Sequence, residues 1–128
     1  MELKDQLSGL ESSKRLKELG VKQESLFYYW NRSYYSIEPD ILFNDYVPPD
    51  GSSDYRNCSA YTVAELGMLL PNYIEGKFLT IRKCSDHWSI GYMMHEGWIA
   101  EISHVMEAEA MAQMLIYLLE QKLMEVPK

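Results

Sequence analysis

The sequence predicts an α+β domain: an antiparallel sheet of about four to five strands packed against two to three helices, in the order α-β-long loop-α-β-β-β-α. Three observations predict it. Apolar residues at helical spacing run from Leu3 to Leu19 and again from about Met106 to Met124. Three strand-like runs at 78–83, 88–93 and 98–102 are joined by links too short for a crossover helix. A capping box at Thr62-Val63-Ala64-Glu65 marks a helix ahead of them. The 128 residues are enough for one domain spanning 1–128. A chain of that length buries roughly two-thirds of its unfolded surface and needs no disulfide or metal to hold a core.

The elements follow in order. In the first helix Leu3, Leu7 and Leu10 share a face that Leu16 and Leu19 continue, with Lys14, Arg15, Lys17 and Glu18 opposite. Gly20 supplies the left-handed residue that closes it. Gly9 and Ser12-Ser13 predict a split into an N-terminal arm and a firmer turn beginning near Ser12. The ring-rich stretch Leu26–Asn31 predicts a strand, followed by a turn near Asn31–Ser33 and a second short strand from Tyr34. Residues 36–60 hold Pro39, Pro48-Pro49 and Asp50-Gly51-Ser52-Ser53 and read as a long loop, pinned to the core by Ile41-Leu42-Phe43.

The capped helix has Ala60 or Tyr61 and Leu66 for a hydrophobic staple and stops at Pro71. In the meander, Leu79 and Ile81 share one face, and Trp88, Ile90 and Tyr92 share another. The last helix carries Glu107 and Glu109 at its positive end. Its stripe of Met111, Met114, Leu115, Leu118, Leu119 and Leu123 is wide enough to cover a sheet. The ring-rich strand is expected to join the meander, so that one sheet has helices on one side.

Composition bounds the function. The net charge is −7, and the excess of acid accumulates after residue 24. Such a surface repels phosphate backbones and anionic lipid, so neither nucleic acid nor membrane is an expected partner. No run of about 20 apolar residues occurs. The N-terminal stretch lacks the charged-then-apolar order of a signal peptide, which makes a cytoplasmic location the expectation. Cys58 and Cys84 then read as free thiols, and the sequons at Asn31 and Asn57 as unmodified.

No constellation of reactive groups stands out. Cys58, Cys84, His87 and His95 are the ligand types zinc prefers, but Cys84-x-x-His87 is the one close pair, so no metal and no cofactor are expected. Cys84 and His87 share a turn, yet nothing marks an oxyanion hole, and every glycine is isolated. Asp45 with Asp50, and Glu107 with Glu109, read as solvated or helix-capping acids. The segment 13–30 has the outline of a helix-turn-helix, with Lys22, Gln23 and Ser25 placed to read DNA. Strand-favouring Phe27–Trp30 and Glu24 oppose that arrangement.

The surplus of rings points elsewhere. A strand with one wet face leaves some aromatic side chains exposed, and exposed aromatics anchor protein contacts. The candidate partner-binding residues are Tyr29, Tyr34 and Tyr35, with Asp45, Tyr46, Asp50, Asp54 and Tyr55 as an acidic rim for a basic partner. An exposed strand edge also invites a homodimer.

Three stretches carry a resemblance: Ser13–Trp30 (SKRLKELGVKQESLFYYW), Cys58–Pro71 (CSAYTVAELGMLLP) and Ala110–Glu120 (AMAQMLIYLLE). Together they are similar to a family of small bacterial proteins without an established activity, many encoded by phages or prophages. The resemblance implies a bacterial cytoplasm or an infected cell and an accessory role around mobile elements; it transfers no site. The function expected is therefore a non-enzymatic protein-interaction module. The alternatives are a ligand-binding protein or an enzyme with a scattered site, lined by Tyr and Trp with Arg82, Glu101 and His104, and third a DNA-binding regulator through 13–30.

Overall fold

The computed structural model describes residues 2–31, 39–46, 56–94 and 97–127. The α+β class is as the sequence predicts: three α-helices and two antiparallel sheets among the described residues. A 3-10 turn, Leu3–Gln6, precedes α1, Leu10–Glu18. The split falls at Gly9, which caps α1 in an extended conformation. Helix α1 closes on Gly20 at φ +91°: the Gly20 amide donates to the Lys17 carbonyl and the Val21 amide to that of Leu16. These two bonds satisfy the carbonyls left over at the helix end.

Strand β1, Phe27–Trp30, is central in a three-stranded sheet with β2, Asp40–Phe43, and β3, Arg56–Ala60, in the order β2-β1-β3. Two expectations change here. The loop expected over 36–60 contains two strands, and Ile41-Leu42-Phe43 pins it by pairing with β1. The ring-rich strand does not join the meander, because β2 and β3 occupy both of its edges. The second short strand expected from Tyr34 lies outside the described residues.

Helix α2, Val63–Leu69, begins at the expected capping box: the Thr62 hydroxyl accepts from the Glu65 amide, and the Glu65 carboxylate accepts from the Thr62 amide. It ends before Pro71. Strands β4, Tyr73–Ile74, β5, Lys77–Lys83, β6, Trp88–Met94, and β7, Gly97–His104, form the second sheet in that order. Helix α3, Glu107–Glu120, stops short of the expected Met124.

The helices separate the two sheets. Helix α3 packs on β6 and β7 on one side and on α1 and α2 on the other, and α1 in turn packs on β3. That position explains why α3 buries Ala108, Ala110 and Ala112 as well as the expected Met111, Met114, Leu115, Leu118 and Leu119. A helix covered on several sides is apolar on several sides. The main core joins these to Leu16, Tyr61, Leu66, Leu70, Ile90 and Tyr92; the last two share the face the alternation predicts. A smaller core of Leu7, Tyr29, Cys58 and Ala60 lies under the three-stranded sheet.

The N-terminal segment is sewn in by polar groups. Ser8 is fully buried, its amide donating to the Tyr61 carbonyl at 2.9 Å. Its hydroxyl accepts from the Tyr61 amide at 2.9 Å and meets the Ser13 hydroxyl at 2.7 Å. Glu109 of α3 accepts from the Gly9 backbone amide at 2.8 Å, the Ser12 hydroxyl at 2.6 Å and the Gln113 side-chain Nε2 at 2.8 Å. A Cβ on Gly9 would lie 2.9 Å from that carboxylate, so a larger residue there would push the Glu109 side chain away.

Candidate binding cleft

Packing the 3-10 turn beside the starts of α2 and α3 leaves a cleft of about 460 Å³. One wall is Leu3, Leu7 and Phe27; Val63 and Ala64 of α2 form another; Trp88, Val105 and Met106 close the far side. Apolar surface continues outward from it. The Phe27 ring lies 4.6 Å from that of Phe43, which is 61% exposed, and Val105 is 60% exposed. Apolar side chains left in water around a concave site mark it for binding.

Two carboxylates line this space, Asp5 and Glu107. Asp5 accepts from the Glu2 amide at 3.2 Å in the capping box of the 3-10 turn. Burial pushes the Glu107 carboxyl above its ordinary value, and the nearby Lys83 charge acts the other way. The Lys83 ammonium lies 5.7 Å from the centre of the Trp88 ring, a cation–π contact. The Thr62 hydroxyl on the same wall is engaged in its capping box. Among the described residues no thiol or imidazole lines the cleft.

The residues predicted as a partner site do not come together here. Tyr29 is 7% exposed, and its hydroxyl donates to the Ser8 carbonyl at 2.7 Å. Burial, with the charges of Cys58 and Glu109 adding to it, pushes its phenol to about 12. Tyr29 is thus a core residue, a correction that follows from its packing with Leu7, Leu10, Cys58 and Ala60. Asp45 and Tyr46 are exposed just beyond β2, and the Tyr46 ring meets Trp30 edge-on at 5.7 Å. Trp30 and Tyr28 are buried beneath the Arg56 guanidinium, 4.4 Å from the Tyr28 ring centre and 5.8 Å from that of Trp30. Tyr34, Tyr35, Asp50, Asp54 and Tyr55 lie outside the described residues.

The other candidates also separate. Cys84 and His87 close the β5–β6 turn, the Cys84 amide donating to the His87 carbonyl at 2.8 Å, and the His87 ring pairs with Asp86 at 2.6 Å. Cys58 lies in the other sheet, His95 lies outside the described residues, and no group of three possible metal ligands occurs among the described residues. Arg82 and Glu101 pair at 3.7 Å on the outer face of the second sheet, across Gly91. His104 faces the other way, its Nδ1 accepting from the Met106 amide, so the three do not share a pocket. Residues 21–26 are not helical and lead into β1, so 13–30 forms no helix-turn-helix. No helix among the described residues is long and apolar enough to cross a membrane.

The cleft residues escaped notice in the sequence. Glu107 reads there as a helix-start acid, Trp88 as a strand ring and Leu3 as a helix stripe residue. What gathers them is the docking of the chain's first turn beside residues 105–108. No family model, curated protein or solved structure matches this chain.

Proposed function

We propose that this chain is a non-enzymatic interaction module, an accessory protein of a bacterial or phage-infected cell, which docks a segment of another protein in the cleft at the starts of α2 and α3. The observation that carries this reading is the cleft itself. It is a concavity of about 460 Å³ whose walls are mostly apolar, which exposes Val105 and Leu3, and whose charged lining groups among the described residues are the carboxylates of Asp5 and Glu107. Exposed apolar anchoring surface with few charges is the composition of a binding core. The bacterial and phage setting rests on the three resembling sequence stretches, and a cytoplasmic site on the free thiols of Cys58 and Cys84.

The test is amide chemical-shift mapping of the labelled chain, titrated with peptides enriched on it from a random display library. Shifts at Val63, Trp88 and Val105, abolished by Val105→Asp, support the reading. Shifts centred on the exposed Tyr73–Phe78 pair of the second sheet would move the site there and overturn it. The cleft volume also lies in the range of small-molecule sites, about 300–1,000 Å³. Saturable binding of small fragments in the cleft, with no peptide enriched, would favour that second reading.

A further inference from the structure

The cleft has an electrostatic character that its apolar walls do not require. Asp5 comes from the first turn of the chain and Glu107 from the first turn of α3, and folding brings both half-buried carboxylates to one cavity. Among the described residues no Lys or Arg lines it. Among the described residues Glu107 makes no side-chain hydrogen bond or ion pair; burial disfavours its charge, and Lys83 offsets this only from a distance. A buried or half-buried charge that has lost water is stabilised by an incoming opposite charge. The Trp88 wall already tolerates an ammonium, since that of Lys83 lies 5.7 Å from its ring centre. The chain as a whole carries a charge of −7, which draws basic partners inward and repels acidic ones.

Resting on the docking reading above, we infer that the occupant is a short basic segment of a partner protein. One large apolar side chain sits among Phe27, Val63, Trp88 and Val105, and a Lys or Arg close to it in sequence lies against Asp5 and Glu107. A neutral segment would further desolvate Glu107, which has no hydrogen-bond or ion-pair partner among the described residues, and an acidic one would add repulsion.

The experiment is selection of a random peptide display library on the intact chain, followed by fluorescence anisotropy of the enriched peptides. They are measured against wild type, Asp5→Asn, Glu107→Gln and Val105→Asp, each first checked for an unchanged thermal melt. Enriched peptides should pair an apolar residue with a nearby Lys or Arg. Each neutralising variant should weaken them by about two- to fivefold, the range of a partly exposed ion pair. The same peptides with Lys changed to Gln should bind wild type and both variants alike, and rising salt should weaken only the Lys forms. Enrichment of neutral or acidic flanks, or Lys peptides indifferent to Glu107→Gln and Asp5→Asn, would overturn the basic specificity. Sensitivity to Val105→Asp would then still uphold the docking site. If no peptide is enriched, or if Val105→Asp has no effect, the docking reading falls and the specificity with it.

Discussion

Ser8 uses every polar group it has: its amide and hydroxyl meet the backbone of Tyr61, and its carbonyl accepts from Tyr29. Removing the hydroxyl leaves the buried Tyr61 amide without an acceptor. Ser8→Ala should therefore lower stability by about 1–3 kcal/mol, read as a shifted urea midpoint at constant slope. The two thiols differ for a similar reason. Burial holds the Cys58 thiol protonated to about 11, whereas Cys84 is partly exposed in a turn. A disulfide reagent at neutral pH should label Cys84 within minutes and reach Cys58 only on unfolding; equal rates would contradict the burial. Little of this is visible in the sequence. Glu109 reads there as an acid favoured by the helix dipole, yet it accepts from Gly9 and Ser12, about a hundred positions earlier in the chain.

At the scale of elements, boundaries set by local chemistry were legible and boundaries set against it were not. The Thr62 capping box and the Gly20 stop appear where the sequence puts them, because each is made by residues three to five apart. Helix α3 ends by the same pair of bonds as α1, from Lys122 to Leu119 and from Leu123 to Leu118, but with Lys122 in the left-handed position at φ +57°. A lysine gives no stop signal, so the helix looks longer in sequence than it is. Lys122→Gly should relieve that strain and stabilise by up to about 1 kcal/mol, visible as a raised Tm. The β4–β5 hairpin was missed for a parallel reason. Its turn, Glu75-Gly76, has φ of +49° and +83°, the geometry that Asn-Gly usually signals. Glu75→Asn should stabilise by a few tenths of a kcal/mol, and a loss of stability would argue against that turn.

For the whole molecule, the buried hydroxyl and thiol groups set the response to alkali. Burial raises Cys58 from 9.0 to about 11, and Tyr29 and Tyr61 from 10.0 to about 12; Tyr92 is raised further still. The unfolded chain releases these protons at their ordinary values while the folded chain keeps them. Their contribution to stability is thus complete below about pH 9 and is lost as pH rises towards about 12. The urea midpoint should fall across that window, with tyrosinate absorbance appearing as the fold is lost; a flat midpoint would refute it. Open edges set the response to concentration. Strand β7 closes the second sheet and leaves the longest strand edge among the described residues. If the expected homodimer forms there, sedimentation should show concentration-dependent association.

The sequence by itself determined the α+β class, the order of helices and meander, the capped start of α2 and the alternation that buries Ile90 and Tyr92. Those features depend on neighbours a few residues apart or on a fixed period along the chain. Only the tertiary structure decided that β1 keeps both edges for β2 and β3, that α3 is covered on several sides, and that Asp5, Trp88 and Glu107 face one cleft. Such partners are chosen by which surfaces remain to be buried once the local elements exist, and that choice is made across the whole chain at once.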